Sequence, residues 1–220
     1  MEGRILRRQA DPKAQPRGAG FVRGTTARRV LRRAAAIAAA AFLLGALGLV
    51  ATSIAKVGVA PAKASRCSFA HRSPRHVSRR HARHALLCVI NKQRRRHSLS
   101  RLDSKRPLKK AGRRHSKYME RHHCFAHQCA GEPDLVRRVE HTSYLPCNCT
   151  WRLGETLAWG KRREGTPHAI VHAWMNSPEH RSILLDRHLK QVGIGLVWGS
   201  PSNPGARAAT YTADLGYKHR

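Results

Sequence analysis

Gly154-Glu155-Thr156-Leu157-Ala158-Trp159-Gly160, followed at Ala173-Trp174-Met175-Asn176-Ser177-Pro178-Glu179-His180-Arg181, decides how the rest of this 220-residue chain is read. In the first string β-favouring and apolar side chains stand between two glycines, which predicts a short strand. Ahead of the second, Thr166-Pro167 supplies a cap and a proline at the first helical position. Ala169, Ile170 or Val171, Ala173 and Trp174 then recur at helical spacing. Ser177-Pro178 repeats that signal for a short helix carrying His180, Ile183 and Leu184. Downstream, Val192-Gly-Ile-Gly-Leu-Val-Trp198 reads as a strand whose glycines imply close backbone approach, and Ala208 to Leu215 as a final strand. Upstream, Ala85, Leu86, Val89 and Ile90 mark a helix running to Arg95. Pro107 opens a second helix, with Leu108, Ala111, His115 and Met119 on one face. The segment from Cys124 to Cys149 reads as loop with a short helix near Leu135–Val139. Helices come first and antiparallel strands later, so the class is α+β.

The chain ahead of this domain carries a different signal. Residues 34–55, from Ala34 to Ala55, are almost uninterrupted Ala, Leu, Ile, Val and Gly without a charge, long enough to cross a hydrocarbon core of about 30 Å as a helix. Ten Arg and Lys against two acids precede it. The positive-inside rule therefore leaves residues 1–33 as a basic cytoplasmic segment and sends the rest outside. Residues 56–80, rich in Arg, His and Ser, read as a flexible basic linker, and 81–220 as the domain. The N-terminal helix is a single-pass membrane anchor, or else a signal h-region with secretion after cleavage near Ala64, where Ala62-Lys63-Ala64 presents small residues at peptidase spacing.

Export changes what six cysteines mean. In an oxidising compartment an even count points to full pairing. The expectation is Cys67 with Cys88, and Cys124 and Cys129 with Cys147 and Cys149. A four-thiolate zinc site is the rival, for which Cys-x-Cys is tight.

Three segments join special backbone to titratable side chains: Cys124-Phe125-Ala126-His127, Gly154-Glu155 and Ser177-Pro178-Glu179-His180. Each is weak alone in a chain with 15 His. Together with the two opening strings they resemble the bacterial, SCP-like extracellular branch of the CAP superfamily, which groups cysteine-rich secretory, antigen 5 and pathogenesis-related proteins. Leu87-Cys88-Val89-Ile90-Asn91 resembles its first helix. His115-Ser116-x-x-Met119 with Phe125-x-His127 resembles the second helix and its loop. Val192-Gly193-Ile194-Gly195 and Asp214-Leu215-Gly216 resemble its late strands. The likeness runs over about residues 82–216.

The resemblance implies an α-β-α sandwich with a central antiparallel sheet. It also implies a cleft of two His and two acids that in some members holds a divalent metal such as zinc. Here His127, Glu155 and His180 match three of the four, while Ser177 falls where animal members carry the fourth, a Glu. Two imidazoles and a carboxylate are a zinc-hydrolase ligand set. Without metal, Glu155 would act as general base and a His as acid, or the three would form a polar network tying loops to the sheet. No Gly-x-Ser-x-Gly elbow and no phosphate loop is present, so neither a serine nucleophile nor an NTPase is indicated.

Charge supplies the last indication. Of 43 Lys and Arg, 33 lie beyond residue 33, against 10 acids. On the second helix Lys109, Lys110, Arg113, Arg114 and Lys117 fall off the Leu108/His115 face and form a cationic stripe. Exposed outside a cell, such a stripe attracts anionic envelope polymers or lipid headgroups. Nucleic acid is disfavoured by export, by 5% aromatics and by the lack of a reading motif. The function expected is therefore a lipid- or envelope-polymer-binding module of the cell envelope or extracellular space, with metal-assisted hydrolysis at His127, Glu155 and His180 as the alternative.

Overall fold

A computed structural model describes residues 3–7, 67–145, 147, 149–202 and 207–219. The chain divides into residues 12–64, which lie outside the described residues together with the expected membrane or signal helix, and a second unit holding everything described. Among the described residues no helix is long and apolar enough to cross a membrane.

The described unit is built of β1 (Gly3–Arg7), α1 (Arg79–Arg96), β2 (Asp103–Ser104), α2 (Arg106–Arg121), α3 (Leu135–Glu140), β3 (Thr150–Lys161), α4 (Pro167–Asn176), α5 (Pro178–Leu184), β4 (Gln191–Trp198) and β5 (Ala208–His219). One sheet runs in the order β1-β3-β5-β4-β2, antiparallel except for the two-residue parallel ladder between β2 and β4. Local chemistry explains the ends. The Thr166 hydroxyl accepts from the Ala169 N–H at the start of α4, and the Asp134 carboxylate accepts from the Arg137 N–H at the start of α3.

Period-2 alternation divides the helices between two layers. Val192, Ile194 and Leu196 of β4 and Ala209, Tyr211, Ala213 and Leu215 of β5 point to one face, where they form the main core with Leu86 and Ile90 of α1, Trp174 of α4 and Ile183 and Leu184 of α5. The intervening Gly193, Gly195, Thr212 and Asp214 face α2. There the expected close approach is found: a Cβ on Gly195 would lie 2.2 Å from the backbone carbon of Gly112, and one on Gly193 1.9 Å from the Lys109 nitrogen. Leu108, Ala111 and Met119 of α2 close this second layer with Leu153 and Leu157 of β3. The result is an α-β-α sandwich, as the resemblance implies.

Three features depart from expectation. The first is the disulfides. Cys67–Cys88 forms as expected, but the other four pair locally, as Cys124–Cys129 and Cys147–Cys149. The reason is packing: Cys124 and Cys129 sit with Met119 and Leu157, whereas Cys147 sits with the separate cluster of Leu145, Leu153 and Trp151. The second is the linker, whose last part is folded. Ala70 is buried in the main core and its carbonyl accepts from the His168 N–H. The third is β1, whose backbone pairs with Arg152–Thr156 of β3. An open sheet edge accepts any extended segment of suitable register.

Candidate functional site

Glu155 and Asp214 are direct cross-strand neighbours on β3 and β5, and both are fully buried beneath α2. Such a site forms only because the strands alternate: each carboxylate replaces an apolar residue on the face that carries Leu153, Leu157 and the β4 glycines. Two buried acids side by side require compensation. It comes from α2, from the loop after it, and from α3.

His127 places Nδ1 2.7 Å from Glu155 Oε1, so its ring N–H donates to the carboxylate. Arg138 of α3 reaches Glu155 Oε2 at 2.5 Å and spans outward to the carbonyls of His127 (2.8 Å) and Pro133 (3.0 Å). His115 of α2 puts Nδ1 2.8 Å from Glu132 and Nε2 3.9 Å from Glu155. The network is thus Glu132, His115, Glu155 and His127 in line, with Arg138 across it. Four residues around Glu155 are not among the site candidates that the sequence offers: His115, Glu132, Arg138 and Asp214. His180 arrives from α5, a helix of the opposite layer. It is buried, and its Nδ1 lies 2.7 Å from the Ser177 hydroxyl. Ser177 caps α5 without a side-chain bond to its backbone, because its oxygen is turned to that ring. The described contacts join His127 to Glu155 and set Ser177 beside His180.

The two carboxyls titrate in opposite directions. Burial alone would raise Glu155. The His127 hydrogen bond and then the charges of Arg138 and His115 outweigh it and hold the group at about 2. Asp214 is pushed well above the usual range, first by burial and then by the Glu155 charge, with Arg138 only partly opposing. Glu155 is the anion and Asp214 the neutral carboxyl beside it.

The consequences for stability have opposite sign. The depressed Glu155 stabilises the fold above its ordinary value of 4.5, and that contribution fades as pH falls toward about 2. The elevated Asp214 favours the fold at low pH and weighs against it as pH rises past the unfolded value, by about 1.4 kcal/mol per pH unit of displacement. Asp214→Asn keeps a neutral polar group of similar size beside Glu155 and removes the titration. It is expected to raise the melting temperature by about 4 °C at pH 7.5 and to gain little at pH 4. Equal gains at both pH values in calorimetry would contradict a neutral Asp214.

Glu155 has no oxygen left for a divalent cation, whereas Nε2 of His127 is buried without a hydrogen-bond partner among the described residues. Both oxygens of Glu155 are engaged, one by an imidazole N–H and one by a guanidinium that already supplies positive charge where a metal would supply it. Among the described residues no group of three or more His, Cys, Asp or Glu is placed to hold a metal ion. Ser177 offers a hydroxyl where a carboxylate ligand is expected. The observed chemistry is that of a charge-balanced polar network joining α2, α3 and the sheet.

Two cavities away from this network are cationic. A groove of about 910 Å³ beside α2 is lined by Arg106, Lys109, Lys110, Arg113, Arg114 and His141, among others. A cavity of about 290 Å³ where α1 meets α2 takes in Arg83, Arg95, Arg101 and Lys109.

The profile of the cysteine-rich secretory protein family, CAP, matches residues 87–204. The chain belongs to the CAP family. An uncharacterized Bacillus subtilis (strain 168) protein, YkwD, is 29% identical over 140 residues, 63% of this chain. The match takes in 50% of YkwD, so the chain spans about half the length of that curated relative. Among solved structures, an outer surface protein of Borrelia burgdorferi superposes with a TM-score of 0.52 at 17% identity, over 65% of this chain and 97% of that one. An extracellular protein containing a SCP domain from Bacillus anthracis str. Ames gives 0.48 at 20% identity, over 63% and 43%. At such identities the Borrelia likeness speaks to fold. The CAP assignment agrees with the layer order, and it assigns no activity to the buried network.

Proposed function

We propose that this CAP domain works outside the cytoplasm as a binding module for phosphate-bearing envelope polymers or lipid headgroups, which it holds on the basic surface of α2. Three disulfides support an oxidising compartment. The observation that carries the binding assignment is the groove beside α2. Lys110, Arg113, Arg114 and Lys117 are exposed. Arg106, Lys109, Lys110, Arg113 and Arg114 line the groove without a single carboxylate in its wall. None of them has an ion pair among the described residues; Arg114 bonds only the His141 carbonyl, at 3.3 Å. Unpaired cations crowded on one face repel one another, and a polyanion relieves that repulsion while releasing counterions.

The buried network then has a supporting role. Arg138 and His115 fix α3 and α2 to the sheet, and so set the angle at which the groove is presented.

The test is binding to phosphatidylglycerol vesicles and to polyphosphate, each at two salt concentrations. Each basic side chain near an anionic surface contributes about 1 kcal/mol. Lys110→Glu with Arg114→Glu is therefore expected to weaken binding at least about a hundredfold. Wild-type binding should itself fall steeply with salt. Failure of the wild-type protein to bind either probe would overturn the assignment.

A further inference from the structure

We propose that the smaller cavity, at the corner of α1, β2 and α2, is a second site, adjoining the groove at Lys109, for a single phosphoryl group carried on a small, partly apolar moiety. The proposal rests on the anion-binding reading above and gives it a specific receptor.

Geometry sets the site. The sheet ends at β2, which pairs with only Gln191 and Val192 of β4. Beyond that point the edge of β4 is left to the helices, and Ile194 forms part of the cavity wall. Helix α1 contributes Arg83, Leu87 and Arg95, the turn before β2 contributes Arg101, and α2 contributes Lys109. Leu87 and Ile194 make an apolar floor, while the four cations form the rim.

The corner is held by Asn91. Its side-chain carbonyl accepts from the Leu102 N–H at 2.8 Å and its amide donates to the Leu102 carbonyl at 3.2 Å, which pins the residue next to Arg101. Arg94, one helical turn further on, donates to the carbonyls of Ser100, Leu184, Asp186 and Leu189. The segment carrying Arg101 is thereby fixed before any ligand arrives, so little ordering cost remains for binding.

Charge sets the ligand. No acid lines this cavity, and among the described residues Arg83, Arg95, Arg101 and Lys109 form no ion pair. Arg83 is half-buried and held below its ordinary value by that burial and by the charges of Arg79 and Arg113, so it sits among cations with no counter-charge. Guanidinium forks match phosphate oxygens bidentately. About 290 Å³ lies at the small end of ligand pockets, and it suits a headgroup or polymer repeat unit better than an acyl chain.

The experiment titrates the full domain calorimetrically with glycerol 3-phosphate and with inorganic phosphate, at fixed ionic strength. Three proteins are compared: wild type, Arg83→Gln/Arg101→Gln for the cavity, and Lys110→Gln/Arg114→Gln for the groove. Saturable one-to-one binding of glycerol 3-phosphate is expected for wild type. A loss of tenfold or more is expected in the cavity variant and a change below threefold in the groove variant, with unchanged melting temperatures. Competition by phosphatidylglycerol vesicles would identify a lipid headgroup as the source of the phosphoryl group. Absence of competition would identify a soluble or polymeric source, and either result leaves the cavity as the receptor. A wild-type protein that binds vesicles or polyphosphate but shows no saturable glycerol 3-phosphate binding would overturn this proposal and leave the groove assignment standing. A cavity variant that titrates like wild type would overturn it as well.

Discussion

Removing either charge of the Glu155–Arg138 pair is expected to destabilise the domain by several kcal/mol, and the two removals should not cost the same. Both groups are buried, so deleting one leaves the other without its counter-ion, which typically costs about 3–5 kcal/mol. Glu155→Gln has a relief available. Asp214, kept neutral first by burial and then by the Glu155 charge, loses the second of these and moves toward ionising beside Arg138. Its cost should fall near the lower end of that range, about 3 kcal/mol. Arg138→Met has no such relief, since Glu132, Glu155 and Asp214 then face one another with only His115 and His127 to oppose them. Its cost should fall near the upper end, about 5 kcal/mol. Urea unfolding at pH 7 measures both. The double variant should cost clearly less than the sum, with a coupling above about 1 kcal/mol. Additive losses would mean that the pair does not act as a unit.

Gly195→Ala should be nearly as damaging, for a purely steric reason. Its Cβ would lie 2.2 Å from both the carbon and the oxygen of Gly112 and 2.5 Å from the Arg113 nitrogen. All are backbone atoms, so no rotamer change can relieve the clash. Helix α2 must lift from β4, straining the Ser116–Thr212 contact of 2.8 Å and the position of His115. Overpacking usually costs about 1–3 kcal/mol, and this case belongs at the top of that range or above it. Gly112→Ala is the control. Its nearest neighbours would be 3.1 to 3.3 Å away, a milder crowding that a small shift of those neighbours relieves. A loss of about 1 kcal/mol is expected there. Equal losses at the two glycines would show that α2 does not sit on β4 as described.

How much of this is legible in the sequence depends on the range of each signal. Helix positions, the α2 core face, the Thr166 and Ser177 starts and the glycine contact on β4 all follow from periodicity and turn chemistry, which act locally. The two-residue β2 is too short to carry a pattern. The cysteine pairing escapes a sequence reading because four closely spaced cysteines are sorted by which apolar cluster each joins, and that is a tertiary matter. Arg138 is hidden among 43 basic residues, with Arg137 beside it. Asp214 does leave a trace. It interrupts a strand whose other face is Ala209, Tyr211, Ala213 and Leu215, and it shares its own face with Thr212 toward a helix. A carboxylate placed there must be buried, but only the register with Glu155 shows why. The metal expectation comes from the family resemblance and from the ligand chemistry of two imidazoles and a carboxylate. What both lack is the guanidinium that already balances Glu155.

If the anion-binding surface, and not the buried network, is where this domain meets its ligand, the two can be separated by substitution. The measurement is the affinity of His127→Ala/His180→Ala for phosphatidylglycerol vesicles, taken below that variant's own unfolding transition and beside Lys110→Glu/Arg114→Glu. The histidine variant should bind within about twofold of wild type, because the attraction to an anionic membrane resides in the surface charges, while the charge-reversed variant should not bind measurably. Loss of binding in the histidine variant, with the charge-reversed variant unaffected, would contradict this assignment.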